Sequence, residues 1–251
     1  MRNIKLTIAY DGSNYSGWQR QSNAVTIQGE LEQRIQLISN HPISLYGAGR
    51  TDAGVHAKGM VANFQTTSSI ACPALIKGLN SLLPNAIRIV DATEESLDFH
   101  ARFSAKAKTY TYSLFTGPVQ SPLECLYAVH FPDLRCPQNI LSCLDKILGT
   151  HDFASFEATG SRDPSAPSAR GSIRTLHEAT FIQITPTAYR FQFTGDGFLR
   201  HMVRNLVGTL LEAGKEQRSI LEFERTLLAK NRPSAGPTAP AHGLVLEKIF
   251  Y

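Results

Sequence analysis

A carboxylate flanked by a cation and by glycines is the clearest candidate for chemistry in the first half of the sequence. It lies in the stretch GRTDAGVHA at 49–57. Glycines allow a backbone to approach a ligand closely, and the neighbouring Arg50 favours the ionised form of Asp52, which can then act as a nucleophile. The same composition is typical of an ordinary connecting loop with Arg50 and His56 in solvent. The stretch by itself leaves both interpretations open.

A second candidate combines an apolar helix with two arginines. Apolar residues recur with helical spacing after residue 197 and predict a buried helix at 198–213. Arg200 and Arg204 lie four residues apart, so they share one edge of this predicted helix. Two such cations can clamp a carboxylate or a phosphate, or they can simply be solvated. The sequence alone does not choose between these roles.

Two further segments have compositions that suit RNA. Lysines are interleaved with aromatic residues along 103–112, a pattern in which lysines meet phosphates and aromatic rings stack on bases. A half-exposed strand is the plainer interpretation of the same pattern. The stretch 158–172 is rich in Ser, Pro and Gly and predicts a surface loop that carries Arg162 and Arg170.

Composition and motif content narrow the class of protein. The 251 residues are 42% hydrophobic and carry a net charge of +4, which is typical of a folded globular chain. The four cysteines include no C-x-x-C pair and the histidines no H-E-x-x-H pair, so the usual zinc and redox motifs are absent. P-loop, G-x-G-x-x-G and G-x-S-x-G motifs are also absent, which disfavours nucleotide hydrolysis, dehydrogenation and esterase chemistry.

The excess positive charge lies in the second half of the chain. Residues 1–99 hold 8 basic and 8 acidic side chains, whereas residues 100–251 hold 17 and 13. An anionic partner is therefore expected to meet the second half. No apolar run approaches the roughly 18 residues of a membrane span, and Asp11 comes too early for a signal peptide. We expect a cytoplasmic protein that does not enter a membrane.

Hydrophobic periodicity predicts the elements that must position these side chains. In the first half it predicts strands at 4–10, 43–48, 60–66 and 86–92 and helices at 27–38 and 73–83, in the order β-α-β-β-α-β. Thr26 is the expected N-cap of the first helix. In the second half it predicts strands at 103–115, 176–185, 189–194 and 244–250 and helices at 139–148, 198–213 and 219–229. Both halves are thus of the α+β class.

Six segments match, in order, the motifs of one known family. They are YDG at 10–12 with GWQRQ at 17–21; GRTDAGVHA at 49–57; FHARFSA at 99–105 with Tyr110; HDF at 151–153; the run 198–208; and AG, TAPA and GL between 235 and 244. Through these segments the chain resembles the tRNA pseudouridine synthase A family. Met60 departs from the glutamine that is frequent in the family at this place.

The resemblance implies an isomerase that converts uridine to pseudouridine at positions 38, 39 and/or 40 of the tRNA anticodon stem-loop, without cofactor or metal. It implies that Asp52 is the catalytic nucleophile, that Arg204 pairs with it and that Tyr110 stacks on the target base. Arg50 matches an arginine linked to displacing the target uridine. The nucleophile attacks C1′ or C6, or supports a glycal route, and the resemblance leaves the choice open.

The resemblance also implies a fold and an assembly. The family fold is two ferredoxin-like halves, each β-α-β-β-α-β, which share an extended antiparallel sheet with a central active-site cleft, in a homodimer. We expect the halves at 1–102 and 103–251. Arg200, His201, Arg162 and Arg170 are the further predicted RNA contacts. A non-catalytic RNA-binding protein of the same fold is the alternative function, and only turnover separates the two.

Overall fold

A computed structural model of the chain describes residues 1–160 and 171–251. The chain folds into two units, one formed by Met1–Lys106 with Val245–Tyr251 and the other by Ala107–Leu244. The expected division at residue 102 stays a prediction. In the described part of the chain, no helix has both the length and the apolar character needed to cross a membrane.

The secondary structure is a mixture of strands and helices. The first unit contains β1 (Arg2–Tyr10), α1 (Ile27–Ser39), β2 (Tyr46–Gly47), β3 (His56–Thr66), α2 (Cys72–Leu82) and β4 (Ile87–Glu95). The chain continues with β5 (Ala107–Phe115), β6 (Val129–His130), α3 (Pro137–Leu144), β7 (Gly149–Asp152), β8 (Ile173–Thr185), β9 (Ala188–Gly195), α4 (Met202–Gly214), α5 (Ile220–Ala229) and β10 (Leu244–Phe250). The predicted α+β class is confirmed.

The sheet of the first unit follows the split βαβ order. Strand β1 lies between β4 and β3 and is antiparallel to both. The other edge of β3 pairs with β2, which is antiparallel, and with β10, which is parallel. The predicted β-α-β-β-α-β order is therefore confirmed in this unit. Because Tyr10 pairs with Ala57, the end of β1 lies beside the start of β3, where the segment that carries Asp52 ends.

Helix α1 forms where its sequence predicts. Thr26 caps it by accepting a hydrogen bond from the backbone N–H of Gly29 at 3.3 Å. Its apolar residues Ile27, Leu31 and Ile35 are fully buried, because they recur on one face of the helix. The helix ends at Asn40 in the left-handed conformation, with φ 56°. Capping and periodicity together set both ends.

The second unit contains three helices and a run of paired strands. Its strands pair antiparallel in the order β5-β9-β8-β7, and β6 is parallel to β5. Helix α4 is a core helix in which every residue except Arg204 and Glu212 is buried. Helix α5 begins with a capping box between Ser219 and Glu222. Arg204 therefore lies on a helix whose position is set by its apolar packing.

Several predicted element boundaries were wrong. The strand expected at 43–48 is reduced to the two residues of β2, and the strand expected from 103 begins at Ala107. The helix expected at 139–148 ends at Leu144 and continues as a 3₁₀ turn. The helix expected from 198 begins at Met202, because His201 adopts a left-handed φ of 62°. Arg200 therefore lies before α4, and the helical relation expected between it and Arg204 does not hold.

Candidate active site

Asp52 lies in the loop 48–55, which connects β2 to β3 in the first unit. Its side chain is half-buried, whereas Arg50 on the same loop is exposed. The backbone turns after Asp52, where the N–H of Val55 donates to the Asp52 carbonyl at 3.2 Å. Gly54 completes this turn with a φ of 77°, a conformation that favours glycine. The stretch is a connecting loop up to Val55 with Arg50 in solvent, as the loop interpretation expects, but that interpretation was wrong for His56, which is buried at the start of β3. The turn determines where Asp52 lies along the loop.

Buried hydrogen bonds hold the loop at Thr51, the residue before Asp52. The Tyr10 hydroxyl and the Thr51 hydroxyl oxygen are 2.7 Å apart and both are buried. The backbone N–H of Trp18 donates to the Thr51 carbonyl at 3.1 Å. The side chain and the carbonyl of Thr51 are thus both engaged. A loop held this way presents its next side chain in a defined place.

Two glycines allow the segment 11–18 to pass against this loop. A Cβ on Gly17 would lie 2.6 Å from the Thr51 carbonyl oxygen, and the φ of Gly17 is +91°. A Cβ on Gly12 would lie 2.1 Å from the Val55 carbonyl oxygen. Both distances are below any normal carbon–oxygen contact, so the approach of the two backbones requires glycine at each position.

His56 ties the same segment to the start of β3. Its ring is buried, and its Nδ1 lies 3.1 Å from both the backbone N–H of Gly12 and the carboxylate of Asp11. Without a proton, Nδ1 accepts from Gly12; with a proton, it donates to Asp11. The Asp11 carboxylate also accepts from the backbone N–H of Ser13 at 3.0 Å. The loop that carries Asp52 is therefore held at Thr51 and again where it joins β3.

In the second unit, Tyr110 lies on β5 with only 8% of its surface exposed. Its ring meets Phe198 edge-on, with centroids 5.0 Å apart. Across the sheet it pairs with Phe193, which is fully buried. These contacts limit the rotamers of the phenol ring, so its orientation is set by packing.

Arg204 leaves the core helix α4 toward the C-terminal loop of the second unit. Its Nε donates to the Ala239 carbonyl at 2.8 Å, and the Ala239 N–H donates to the Arg204 carbonyl at 3.1 Å. The neighbouring Tyr112 donates its hydroxyl to the Pro240 carbonyl at 2.9 Å. Burial raises the pKa of Tyr112 well above its ordinary value, although the positive charge of Arg204 opposes this rise. Tyr112 therefore stays protonated at neutral pH and holds the loop beside Arg204.

The buried amide of Asn205, the next residue of α4, also holds the C-terminal loop in place. Asn205 is fully buried; its Nδ2 donates to the Phe156 carbonyl at 2.8 Å, and its Oδ1 accepts from Thr238 at 2.6 Å and from Arg232 at 3.2 Å. One turn later, a Cβ on Gly208 would overlap the Pro237 carbonyl oxygen at 1.7 Å. Close backbone approach and a satisfied polar cluster together determine the surroundings of Arg204.

The remaining predicted RNA contacts have different positions. Arg200 is exposed, and its carbonyl accepts from the N–H of Ala158 at 2.9 Å. His201 is half-buried at the N-cap of α4, in a left-handed conformation that is costly for a residue with a side chain. Arg162 and Arg170 lie outside the described residues.

The two units offer complementary chemical groups. The first unit presents a carboxylate on a rigidly held loop, a group suited to nucleophilic attack. The second presents a packed phenol ring and a guanidinium, groups suited to base stacking and to charge stabilisation. Among residues 1–160 and 171–251, no group of three or more His, Cys, Asp or Glu side chains could hold a metal ion.

The residues that hold the candidate site residues give little sign of that role in the sequence. Tyr10, Gly17 and Trp18 are recognisable there only as parts of the matching motifs. Tyr112 in its strand and Asn205 in its helix give no local signal of a partner far along the chain. The matched motif segments contain Tyr10, Gly17, Trp18 and Asn205, and this is the signal that points to them, whereas Tyr112 lies outside those segments.

Comparison with known proteins gives a consistent result. A family model described as tRNA pseudouridine synthase matches residues 6–104 and 144–251. The tRNA pseudouridine synthase A 1 of Desulfotalea psychrophila is 52% identical over 251 residues, 100% of both chains. The tRNA pseudouridine synthase A proteins of Clostridium kluyveri and Clostridium acetobutylicum are 43% and 41% identical, also over 100% of both chains. The matched ranges contain Asp52 and Arg204, and the full-length relatives also span Tyr110.

Proposed function

The chain belongs to the tRNA pseudouridine synthase family, and on that premise we propose that it isomerises uridine to pseudouridine at positions 38, 39 and/or 40 of the tRNA anticodon stem-loop. The observation that carries this proposal is the full-length similarity to three tRNA pseudouridine synthase A proteins, at 41–52% identity, in a chain that contains Asp52 within the motif GRTDAGVHA.

The proposed reaction conserves atoms and electrons. The glycosidic bond between N1 and C1′ breaks, the uracil turns, and a bond forms between C5 and C1′. The proton on C5 leaves, and N1 gains a proton. Because nothing is oxidised or reduced overall, we propose that the reaction requires no cofactor and no metal ion.

We propose that Asp52 is the nucleophile. The half-buried position of its side chain and the buried hydrogen bonds of Thr51 support this role, since a nucleophile needs a defined position as well as charge. The carboxylate attacks C1′ or C6, or supports a glycal route. All three routes require it to be ionised.

We propose that Arg204 and Tyr110 act with Asp52 on the same uridine. A guanidinium favours the ionised carboxylate, and the hydrogen bond from Arg204 to Ala239 supports a defined orientation of that guanidinium. The packed ring of Tyr110 suits stacking on the target base. Extruding a stacked uridine costs about a few kcal/mol, and the exposed Arg50 on the Asp52 loop suits the role of filling the gap.

The wider RNA contacts and the assembly are also proposals. Arg200, His201, Arg162 and Arg170 are proposed to contact tRNA phosphates or bases, because basic side chains supply most of the affinity for nucleic acid. We further propose a homodimer that works in the cytoplasm. Both statements rest on the family resemblance.

Release of tritium from C5 tests the catalytic proposal directly. The substrates are tRNA transcripts labelled with [5-³H]uridine, each with uridine at only one of positions 38, 39 and 40. The wild-type protein should release tritium from at least one transcript. Asp52→Asn should reduce release to background while it still binds tRNA, because the amide keeps the shape of the side chain but removes the nucleophile.

Asp91→Asn is the matched control. Asp91 is an exposed carboxylate of the same unit, on β4, and it has no proposed role. This variant should release tritium at the wild-type rate. Turnover by Asp52→Asn, or no release by the wild-type protein from any of the three transcripts, would contradict the proposed function.

A further inference from the structure

An aromatic side chain of the first unit lies on the surface although it belongs to a rigid turn. Phe103 is 77% exposed, in the segment 96–104 that follows β4. Tyr46, at the edge of the same sheet, is 49% exposed. Neither residue belongs to the proposed catalytic set. An exposed aromatic ring leaves a flat apolar face that a ligand can cover.

Two buried asparagines fix the turn from beneath. The Nδ2 of Asn3 donates to the carbonyls of Ser96 at 2.8 Å and of Phe99 at 2.9 Å. The Oδ1 of Asn63 accepts from the N–H of Ala101 at 2.8 Å. The two amides are also joined, since Asn63 donates to Asn3 at 2.9 Å. The start of the turn is thus anchored on strands β1 and β3.

Further hydrogen bonds close the turn around Phe103. The N–H of Ser104 donates to the His100 carbonyl at 2.9 Å, and the N–H of His100 donates to the Ser104 hydroxyl at 3.1 Å. The hydroxyl of Tyr251 donates to the Ala101 carbonyl at 2.8 Å. Because the backbone on both sides of Phe103 is held, the ring has little freedom to fold inward.

The exposed rings of Tyr46 and Phe103 form a row with the half-buried ring of His100 between them and a cation at one end. The centroids of Tyr46 and His100 are 5.3 Å apart, and those of His100 and Phe103 are 4.4 Å apart. The guanidinium of Arg102 lies 5.9 Å from the Phe103 centroid. Arg102 and Lys106 are both exposed, and residues 99–106 contain no acidic side chain. The surface offers flat faces and positive charge together.

We infer that this row of Tyr46, His100 and Phe103 binds an unstacked base of the RNA substrate, with Arg102 on the adjoining phosphate. Aromatic rings beside cations are the usual means of holding single-stranded nucleic acid, because every base has a flat face and every link a negative charge. Preorganisation lowers the entropy cost of binding. The inference rests on the proposed function for its RNA, and it adds a binding site in the first unit.

Substitutions at Phe103 separate stacking from simple apolar contact. Phe103→Ala should weaken binding of a tRNA transcript by about 5- to 100-fold and raise KM in parallel, with kcat unchanged. Phe103→Trp should restore both values to within about twofold, because it restores a flat aromatic face. Leu37→Ala is the control, since Leu37 is another exposed apolar side chain of the same unit, at 67%. It should bind as the wild type does.

The salt dependence of binding tests the phosphate contact. Arg102→Gln should lower the slope of log Kd against log salt concentration by about one, the loss of a single phosphate contact. An unchanged slope would overturn the role of Arg102. Wild-type Kd and KM in Phe103→Ala would overturn the stacking site.

Three other outcomes keep this inference distinct from its alternatives. If wild-type protein releases tritium while Phe103→Ala binds normally, the stacking site fails and the proposed function stands. If Phe103→Ala weakens binding but the wild-type protein releases no tritium, the proposed function fails and the RNA site stands. A shift of Phe103→Ala toward smaller assemblies in sedimentation would show that a second copy covers the row, which would overturn the inference.

Discussion

Replacing Gly17 with alanine should displace the loop that carries Asp52. The added Cβ would lie 2.6 Å from the Thr51 carbonyl oxygen and 3.1 Å from the Asp52 carbonyl carbon. Ordinary van der Waals contact begins at 3.4 Å, so the nearer backbone must retreat by roughly 0.8 Å. The atoms that must move belong to Asp52 and to the residue before it. The perturbation therefore acts on the position of the proposed nucleophile.

Two energetic effects are expected from this substitution. The positive φ of 91° is unfavourable for alanine and should lower the free energy of unfolding by about 1–2 kcal/mol. Moving a reacting group by about 1 Å costs about 100-fold in rate. We therefore expect kcat for tritium release to fall by about 10- to 100-fold, with a smaller effect on tRNA affinity.

Gly149 provides a control that isolates the clash. Its φ is 89°, close to that of Gly17, but no described atom lies within 4 Å of the Cβ that alanine would add. Gly149→Ala should therefore lose a similar free energy of unfolding in urea while its kcat stays within about twofold of wild type. Both variants are compared at matched folded fractions, measured by circular dichroism.

The comparison gives a clear refutation. If Gly17→Ala retains wild-type kcat at the same folded fraction, the loop does not need its position for turnover. If both variants lose kcat equally, the effect comes from backbone strain in general. Either result would contradict the reasoning from the backbone approach at Gly17.

Two predictions concern stability. Asn205→Ala removes a fully buried amide and leaves its partners without their hydrogen bonds, so the free energy of unfolding in urea should fall by about 2–4 kcal/mol. The exposed control Asn23→Ala should lose less than about 0.5 kcal/mol. Equal losses in the two variants would contradict this prediction. Burial alone raises the pKa of Asp152, but hydrogen bonds from Ser172 and Ala154 and the nearby Lys230 hold that pKa below its ordinary 3.8. The stabilisation contributed by the ionised Asp152 is therefore present above the ordinary pKa and lost as pH falls through the lowered pKa. The free energies of unfolding of Asp152→Asn and wild type should differ by a constant amount between about pH 7 and 5 and converge below about pH 4. A difference that persists unchanged to about pH 2 would refute it.

Local periodicity predicted the types of the long elements well. The spacing of Ile27, Leu31 and Ile35 predicted α1, because a helix buries one face and those three residues share it. The alternation from Ile4 to Tyr10 predicted β1 for the equivalent reason in a strand. Both signals depend only on residues close together in the chain.

Local patterns gave wrong predictions at two places in the chain. Phe103 was expected to begin a strand, but the amides of Asn3 and Asn63 draw its segment into a turn. Arg200 was expected on the same helix as Arg204, but His201 adopts a left-handed φ and delays the helix. No nearby residue signals either event.

The sequence by itself determined the chemistry that this protein can offer, since the motif around Asp52 and the order of the six matched segments identify the family and the proposed nucleophile. Only the tertiary structure decided how that residue is held. Gly17 and Tyr10 meet Thr51 across 34 and 41 positions of the chain. Such contacts depend on the folding of β1 and β3 into one sheet. The sequence pattern predicts which residues of each segment are buried, but it does not indicate which other segment packs against them.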